Sequence, residues 1–116
     1  MATQRTILLV EDEPMIRDVT TWTLEDLGYV VHSAANREEA ETWLAANEPP
    51  DLLFTDMRMK GESDGRQLAE RYGDRMPVLV TSGEAAAQHT WLGANMKYLP
   101  KPYDRKSLKA ALDELL

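Results

Sequence analysis

Apolar positions follow two rhythms along this chain. Five short runs are nearly continuous: "TILLV" at 6–10, "YVVHSA" at 29–34, "DLLFT" at 51–55, "VLVT" at 78–81 and "MKYL" at 96–99. Runs of this kind, stopped by acids, prolines or glycines, predict strands buried on both faces, the parallel-sheet type. Between them the apolar residues recur at helical spacing. Pro14 suits the first turn of a helix in which Ile16, Val19, Leu24 and Leu27 repeat, and Gly28 closes it. Asn36 is the expected N-cap of "REEAETWLAA", with Ala40, Trp43 and Leu44 turned inward. Three more helices are predicted, over "GRQLAERY" (65–72), "EAAAQHTWL" (84–92) and "DRKSLKAALDELL" (104–116), the last capped by Asp104.

The order is strand then helix, five times. Right-handed crossovers then give a single α/β domain over 1–116, a doubly wound (βα)5 sandwich around a five-stranded parallel sheet. Sheets of this class place their sites beyond the carboxyl ends of the strands, where strand order reverses. The residues at those ends are Glu11 and Asp12 after the first strand and Asp56 at the tip of "LLFTD". Thr81 and Ser82 end the fourth, and Lys101 follows the fifth. Each alone is ordinary surface chemistry; on one sheet edge they form a pocket. Three carboxylates in such a pocket repel one another unless a cation pairs with them. Their hard oxygens suit Mg²⁺, which accepts a few carboxylates together with a phosphoryl oxygen. With a lysine and a hydroxyl beside them, the set makes a phosphoryl cradle and Asp56 its nucleophile.

Composition narrows the field further. The net charge of −7, from 20 acids against 13 lysines and arginines, disfavours nucleic acid as a direct partner. Cysteine is absent, which removes disulfides and thiolate chemistry, and His32 and His89 are the only imidazoles. No apolar run approaches the roughly 20 residues of a membrane helix, and "MATQRT" lacks a signal-peptide core, so a cytoplasmic protein is expected.

Four stretches, "LLVEDE", "LLFTDMRM", "PVLVTSG" and "YLPKPY", stand in this order along the chain. Together they resemble the receiver domain of bacterial two-component response regulators, the CheY-like family, over essentially the whole length. The resemblance implies that Asp56 accepts a phosphoryl group from a phosphohistidine of a sensor kinase or phosphotransfer protein. It implies Mg²⁺, with Mn²⁺ as a substitute, held by Asp12 directly, by Glu11 through water, by Asp56 and by the backbone carbonyl of Arg58. Ser82, followed by the small Gly83, takes the hydroxyl position in preference to Thr81, and Lys101 takes the lysine position before a cis Lys101–Pro102 bond. Ser82 and Tyr98 form the expected switch, acting on the face made by the fourth helix, fifth strand and fifth helix, about 84–92 and 98–112. Arg58 and Glu84 match two positions expected to modulate phosphoryl lifetime.

That implies a signalling switch rather than a metabolic enzyme, a downstream protein target, and homodimerisation on phosphorylation as a further option for the same face. One receiver domain is expected over 1–116 with no output domain after the fifth helix, either a stand-alone regulator, which the initiator-like "MATQ" slightly favours, or a receiver excised from a larger chain. There are departures from the family pattern. Glu11 replaces the more frequent aspartate, Lys60 stands where proline is usual, and the loop from Asp56 to "DG" at 64–65 is one residue longer. The rival readings are a small Mg²⁺-dependent phosphohydrolase, a receiver-like module that takes no phosphate, and a flavodoxin-type cofactor binder. The first lacks a second aspartate at Arg58, the second ignores the full set Asp12, Asp56, Ser82 and Lys101, and the third lacks a phosphate loop after the first strand. Trp22, Trp43 and Trp91 are expected to pack, with Trp91 a lesser candidate for partner contact.

Overall fold

Five parallel strands lie in the order β2-β1-β3-β4-β5 in the computed structural model, which describes residues 4–57, 59, 64–83 and 92–116. The strands are β1 (Thr6–Val10), β2 (Val30–Ala34), β3 (Leu52–Asp56), β4 (Val78–Ser82) and β5 (Met96–Pro100). The helices are α1 (Pro14–Asp26), α2 (Arg37–Ala46), α3 (Asp64–Tyr72) and the last helix, α4 (Arg105–Leu115). The helix expected over 84–92 lies outside the described residues except for Leu92, as do Arg58, Lys60, Glu84 and Trp91.

Alternation along the strands builds a core on each face. Ile7, Leu9, Leu52, Phe54 and Leu79 meet Leu24 of α1 and Leu108, Ala111 and Leu112 of α4. The intervening Leu8, Val10, Leu53, Val78 and Val80 meet Ala40 of α2 and Leu68, Ala69 and Tyr72 of α3, with Trp43 and Leu44 packed alongside. Each fully buried leucine, isoleucine or phenylalanine contributes about 1.5–3 kcal/mol by leaving water, so both faces must be covered for the sheet to persist. The central strands β3 and β4 are buried at every position, whereas the edge strand β2 is half exposed.

Local chemistry sets the helix ends where the sequence suggested. Gly28 has φ +101°. Its N–H donates to Glu25 O at 3.0 Å and that of Tyr29 to Leu24 O at 3.1 Å, closing the last turn of α1 through a left-handed residue. Asn36 accepts from the Glu39 N–H at 2.8 Å, and Asp104 accepts from the Ser107 N–H at 2.7 Å. Arg105 pairs with Asp26, tying α4 to α1.

Two of the four apolar positions that mark the period of α1 are exposed. Ile16 is 41% and Val19 55% exposed, and Met15 and Trp22 on the same helix are more exposed still. Helical spacing identifies an apolar stripe but not what covers it, and here only Leu24 and the half-buried Leu27 meet the core.

Candidate functional site

β1 and β3 are neighbours in the sheet, but the chain leaves β1 for β2 on one side before returning to β3 on the other. That reversal opens a crevice above their carboxyl ends, and the acids stand there. β1 runs directly into Glu11 and Asp12, while β3 ends on Asp56, which pairs in register with Thr81 of β4. One carboxylate oxygen from each of Glu11, Asp12 and Asp56 lies within 4.8 Å of the others. Asp56 is only 9% exposed and Glu11 4%.

Lys101 reaches in from the end of β5. Its N–H donates to Ser82 O at 2.9 Å, and its Nζ donates to Asp56 Oδ2 at 2.6 Å and stands 3.5 Å from Glu11 Oε1. The Lys101–Pro102 bond is cis. Burial alone would depress the ammonium, but the hydrogen bond to Asp56 and the charges of Asp56 and Glu11 outweigh it and hold Lys101 above the ordinary lysine value. Glu11 is shifted upward, chiefly by burial and further by Asp12 and Asp56, against the Glu13 N–H and Lys101. Its longer side chain is used twice: Oε2 accepts from the Glu13 N–H at 3.1 Å while Oε1 faces Lys101.

Two hydroxyl residues, Thr81 and Ser82, close β4. Thr81 Oγ1 donates to Leu99 O at 2.8 Å and so serves the β4–β5 junction. Ser82 is the next residue and projects to the opposite side of the strand; it is buried at 3% exposure, and its carbonyl accepts from the Tyr98 hydroxyl at 3.0 Å. The half-buried Tyr98 thus touches the strand end that carries Ser82. Arg58 and Glu84, expected to supply a carbonyl and to modulate, fall outside the described residues.

Three neighbours of the site were not singled out from sequence. Gly65, at the start of α3, packs on the end of β3 so closely that a Cβ there would collide with the backbone oxygen of Asp56. Tyr103 stacks near Phe54, ring centroids 6.1 Å apart, and its phenol is shifted upward by burial, opposed by Thr20 and Lys101. Arg17 of α1 donates to Glu11 O at 2.9 Å. The "DG" pair at 64–65 and the tyrosine of "KPY" were visible signals; nothing in the spacing of Arg17 pointed to a backbone carbonyl.

The donor set fits a hard divalent cation: three converging carboxylates, with no thiolate or imidazole in the cluster among the described residues, and a crevice at the sheet edge. A five-stranded parallel sheet in this order, with an acidic crevice at the reversal and a lysine bridging two of its acids, is a doubly wound α/β fold with its site at the switch point. The model of the response regulator receiver domain family matches residues 7–113, and the chain belongs to that family. A probable transcriptional regulatory protein of Picosynechococcus sp. is 35% identical over 128 residues, which take in 100% of this chain and 51% of that protein. The sensor kinase CckA of Brucella abortus is 33% identical over 118 residues, 96% of this chain but 12% of the kinase. The chain therefore spans about half or less of these relatives' lengths. Among solved structures, the response regulator TrrA of Thermotoga maritima in complex with Mg²⁺-BeF superposes with a TM-score of 0.82 at 26% identity, covering 97% of this chain and 100% of that one.

Proposed function

We propose that this receiver takes a phosphoryl group from a phosphohistidine onto Asp56 and passes the signal on through protein contacts. The observation that carries the proposal is the 2.6 Å pairing of Lys101 with Asp56 inside the three-carboxylate crevice. A carboxylate so placed is buried, paired with an ammonium and oriented before any donor arrives.

Glu11, Asp12 and Asp56 would hold Mg²⁺, which when bound supplies neutralising charge for the phosphoryl oxygens. Asp56 attacks phosphorus, the new P–O bond forms as the P–N bond to the donor imidazole breaks, and the nitrogen departs with the electron pair. Lys101 keeps its proton throughout, and its ammonium moves from a carboxylate partner to a phosphoryl oxygen. The Ser82 hydroxyl donates to another oxygen, and Tyr98, already in contact with the Ser82 carbonyl, follows any shift of that strand end. Slow loss of the group to water returns the switch. β5 and α4, joined by the Lys97–Glu114 ion pair, carry the outgoing face, for a downstream target or a second copy.

The donor is a protein, a sensor kinase or a phosphotransfer protein, and α1 gives it a surface. Among the described residues, every exposed large apolar side chain except Val30 lies on α1: Met15, Ile16, Val19 and Trp22. Met15, Ile16 and Val19 line a groove of about 600 Å³ that runs to Lys101, Pro102 and Tyr103. An apolar face ending at the mouth of the acceptor pocket fits a helix that brings its histidine to Asp56. Among the described residues no helix is long and apolar enough to cross a membrane, and we place the exchange in the cytoplasm.

Incubation with acetyl phosphate, read by intact mass, tests the proposal. The expected result is a gain of one phosphoryl group that needs Mg²⁺ and is absent from Asp56→Asn. No gain from acetyl phosphate or from a phosphorylated kinase would leave a module that signals without phosphate.

A further inference from the structure

We propose that Arg17 is a positioning residue for the divalent-cation site. It touches no carboxylate in the crevice; it braces the backbone from which two of them hang. Its Nη1 donates to Glu11 O at 2.9 Å, at the peptide that joins Glu11 to Asp12. The same short loop is fixed on three other sides. The Glu11 N–H donates to Ala34 O at 3.1 Å, the Glu13 N–H donates to Glu11 Oε2 at 3.1 Å, and the Arg17 N–H donates to Glu13 O at 2.8 Å.

The Glu11 carbonyl sits past the end of the β1 ladder, and Arg17 supplies it a charged donor from one turn inside α1. Because the contact is to the main chain, it fixes the direction in which both the Glu11 and Asp12 side chains leave the loop. Carboxylates that must converge within 4.8 Å while repelling one another need such a restraint. Arg17 is half-buried, so its reach to the carbonyl is held by packing.

This inference rests on the Mg²⁺-dependent reading above, and the sign of one measurement separates it from simple electrostatics. Arg17 is a cation beside a cation site. If its charge were all that mattered, removing it would tighten Mg²⁺ binding by relieving repulsion. If it positions the loop, removing it weakens binding. Outer partners of metal ligands commonly carry at least about 10-fold in affinity, and that is the loss expected here.

Titration of the full chain with MgCl₂ by calorimetry gives the dissociation constant directly. Arg17→Gln is expected to bind Mg²⁺ about 10-fold more weakly than wild type. Arg17→Lys keeps the charge but has a shorter, single-pronged reach, and is expected to lose about 3-fold. An unchanged or tighter constant in Arg17→Gln overturns the proposal. If that variant does not fold, an unchanged constant in Arg17→Lys overturns it equally. A wild-type chain that takes up no Mg²⁺ overturns both this inference and the receiver chemistry beneath it, whereas binding by wild type with no loss in the variants overturns this inference alone.

Discussion

The Lys101 ammonium lies 2.6 Å from Asp56 Oδ2 and 3.5 Å from Glu11 Oε1, so a single cation from the end of β5 ties together the ends of β1 and β3. Of the three strand-end acids, two are nearly sealed from water, at 4% and 9% exposure. Removing their cation leaves uncompensated charge in a site where water screens poorly. Lys101→Met is therefore expected to destabilise the protein by about 2 kcal/mol in chelator. Added Mg²⁺ should recover more stability in the variant than in wild type, because it replaces the missing charge. Urea unfolding with and without Mg²⁺ checks both halves of this.

The upward shift of Glu11 sets a pH dependence of definite sign. A carboxyl whose value rises on folding holds a proton in the folded state that the unfolded chain has already released. Its contribution is most favourable below the ordinary value of 4.5 and declines as pH rises from there through the raised folded value. Glu11→Gln keeps the acceptor for the Glu13 N–H and removes the charge. In chelator it should raise stability near neutral pH and flatten the fall in melting temperature on going from mildly acid to neutral buffer. A melting temperature at neutral pH below that of wild type would contradict this account of the site.

Thr81 and Ser82 should separate cleanly on substitution. Thr81→Val deletes the buried bond to Leu99 O and leaves that carbonyl without its donor, at a cost of about 1–2 kcal/mol. Its phosphorylation rate in the folded state should stay within a few-fold of wild type. Ser82→Ala should show the reverse, with stability close to wild type and a clear loss in phosphorylation rate or in the response that follows. Parallel denaturation and acetyl-phosphate kinetics on the two variants decide the assignment.

The apolar face of α1 predicts a difference between donors. Met15 is 80% exposed, so Met15→Glu should change stability by no more than about 0.5 kcal/mol. It should leave acetyl-phosphate labelling intact and slow transfer from a phosphorylated kinase or phosphotransfer protein by about 10-fold or more. Equal rates with the protein donor would remove α1 from the docking surface.

The strands were legible because each is a nearly continuous apolar run, and no boundary moved by more than a residue: β2 begins at Val30, β3 runs from Leu52 to Asp56, and β4 and β5 reach Ser82 and Pro100. Asp56 is an example. It reads as the residue after a strand, yet it pairs with Thr81 inside the sheet, and that placement orients its carboxylate. Asn36, Asp104 and Gly28 were legible because capping is local chemistry with a local signature. The convergence of Glu11, Asp12, Asp56 and Lys101 followed from topology, since a parallel sheet brings every strand end to one edge. What sequence did not show depends on contacts distant along the chain. Ile16 and Val19 carry the helical period, but whether a neighbouring element covers them is a tertiary fact. Arg17 acts on a main-chain oxygen, which has no residue-type signature. Thr81 and Ser82 face opposite sides of β4, and one residue of register reverses which of them bonds to Leu99 O.

Locating the phosphoryl group tests the central claim most directly. After labelling in Mg²⁺, borohydride reduces an aspartyl phosphate to homoserine, and peptide mass mapping then names the residue. The account predicts homoserine at position 56 alone, within the peptide that contains "LLFTD". Homoserine at another position, or a labelled protein with none, would contradict it.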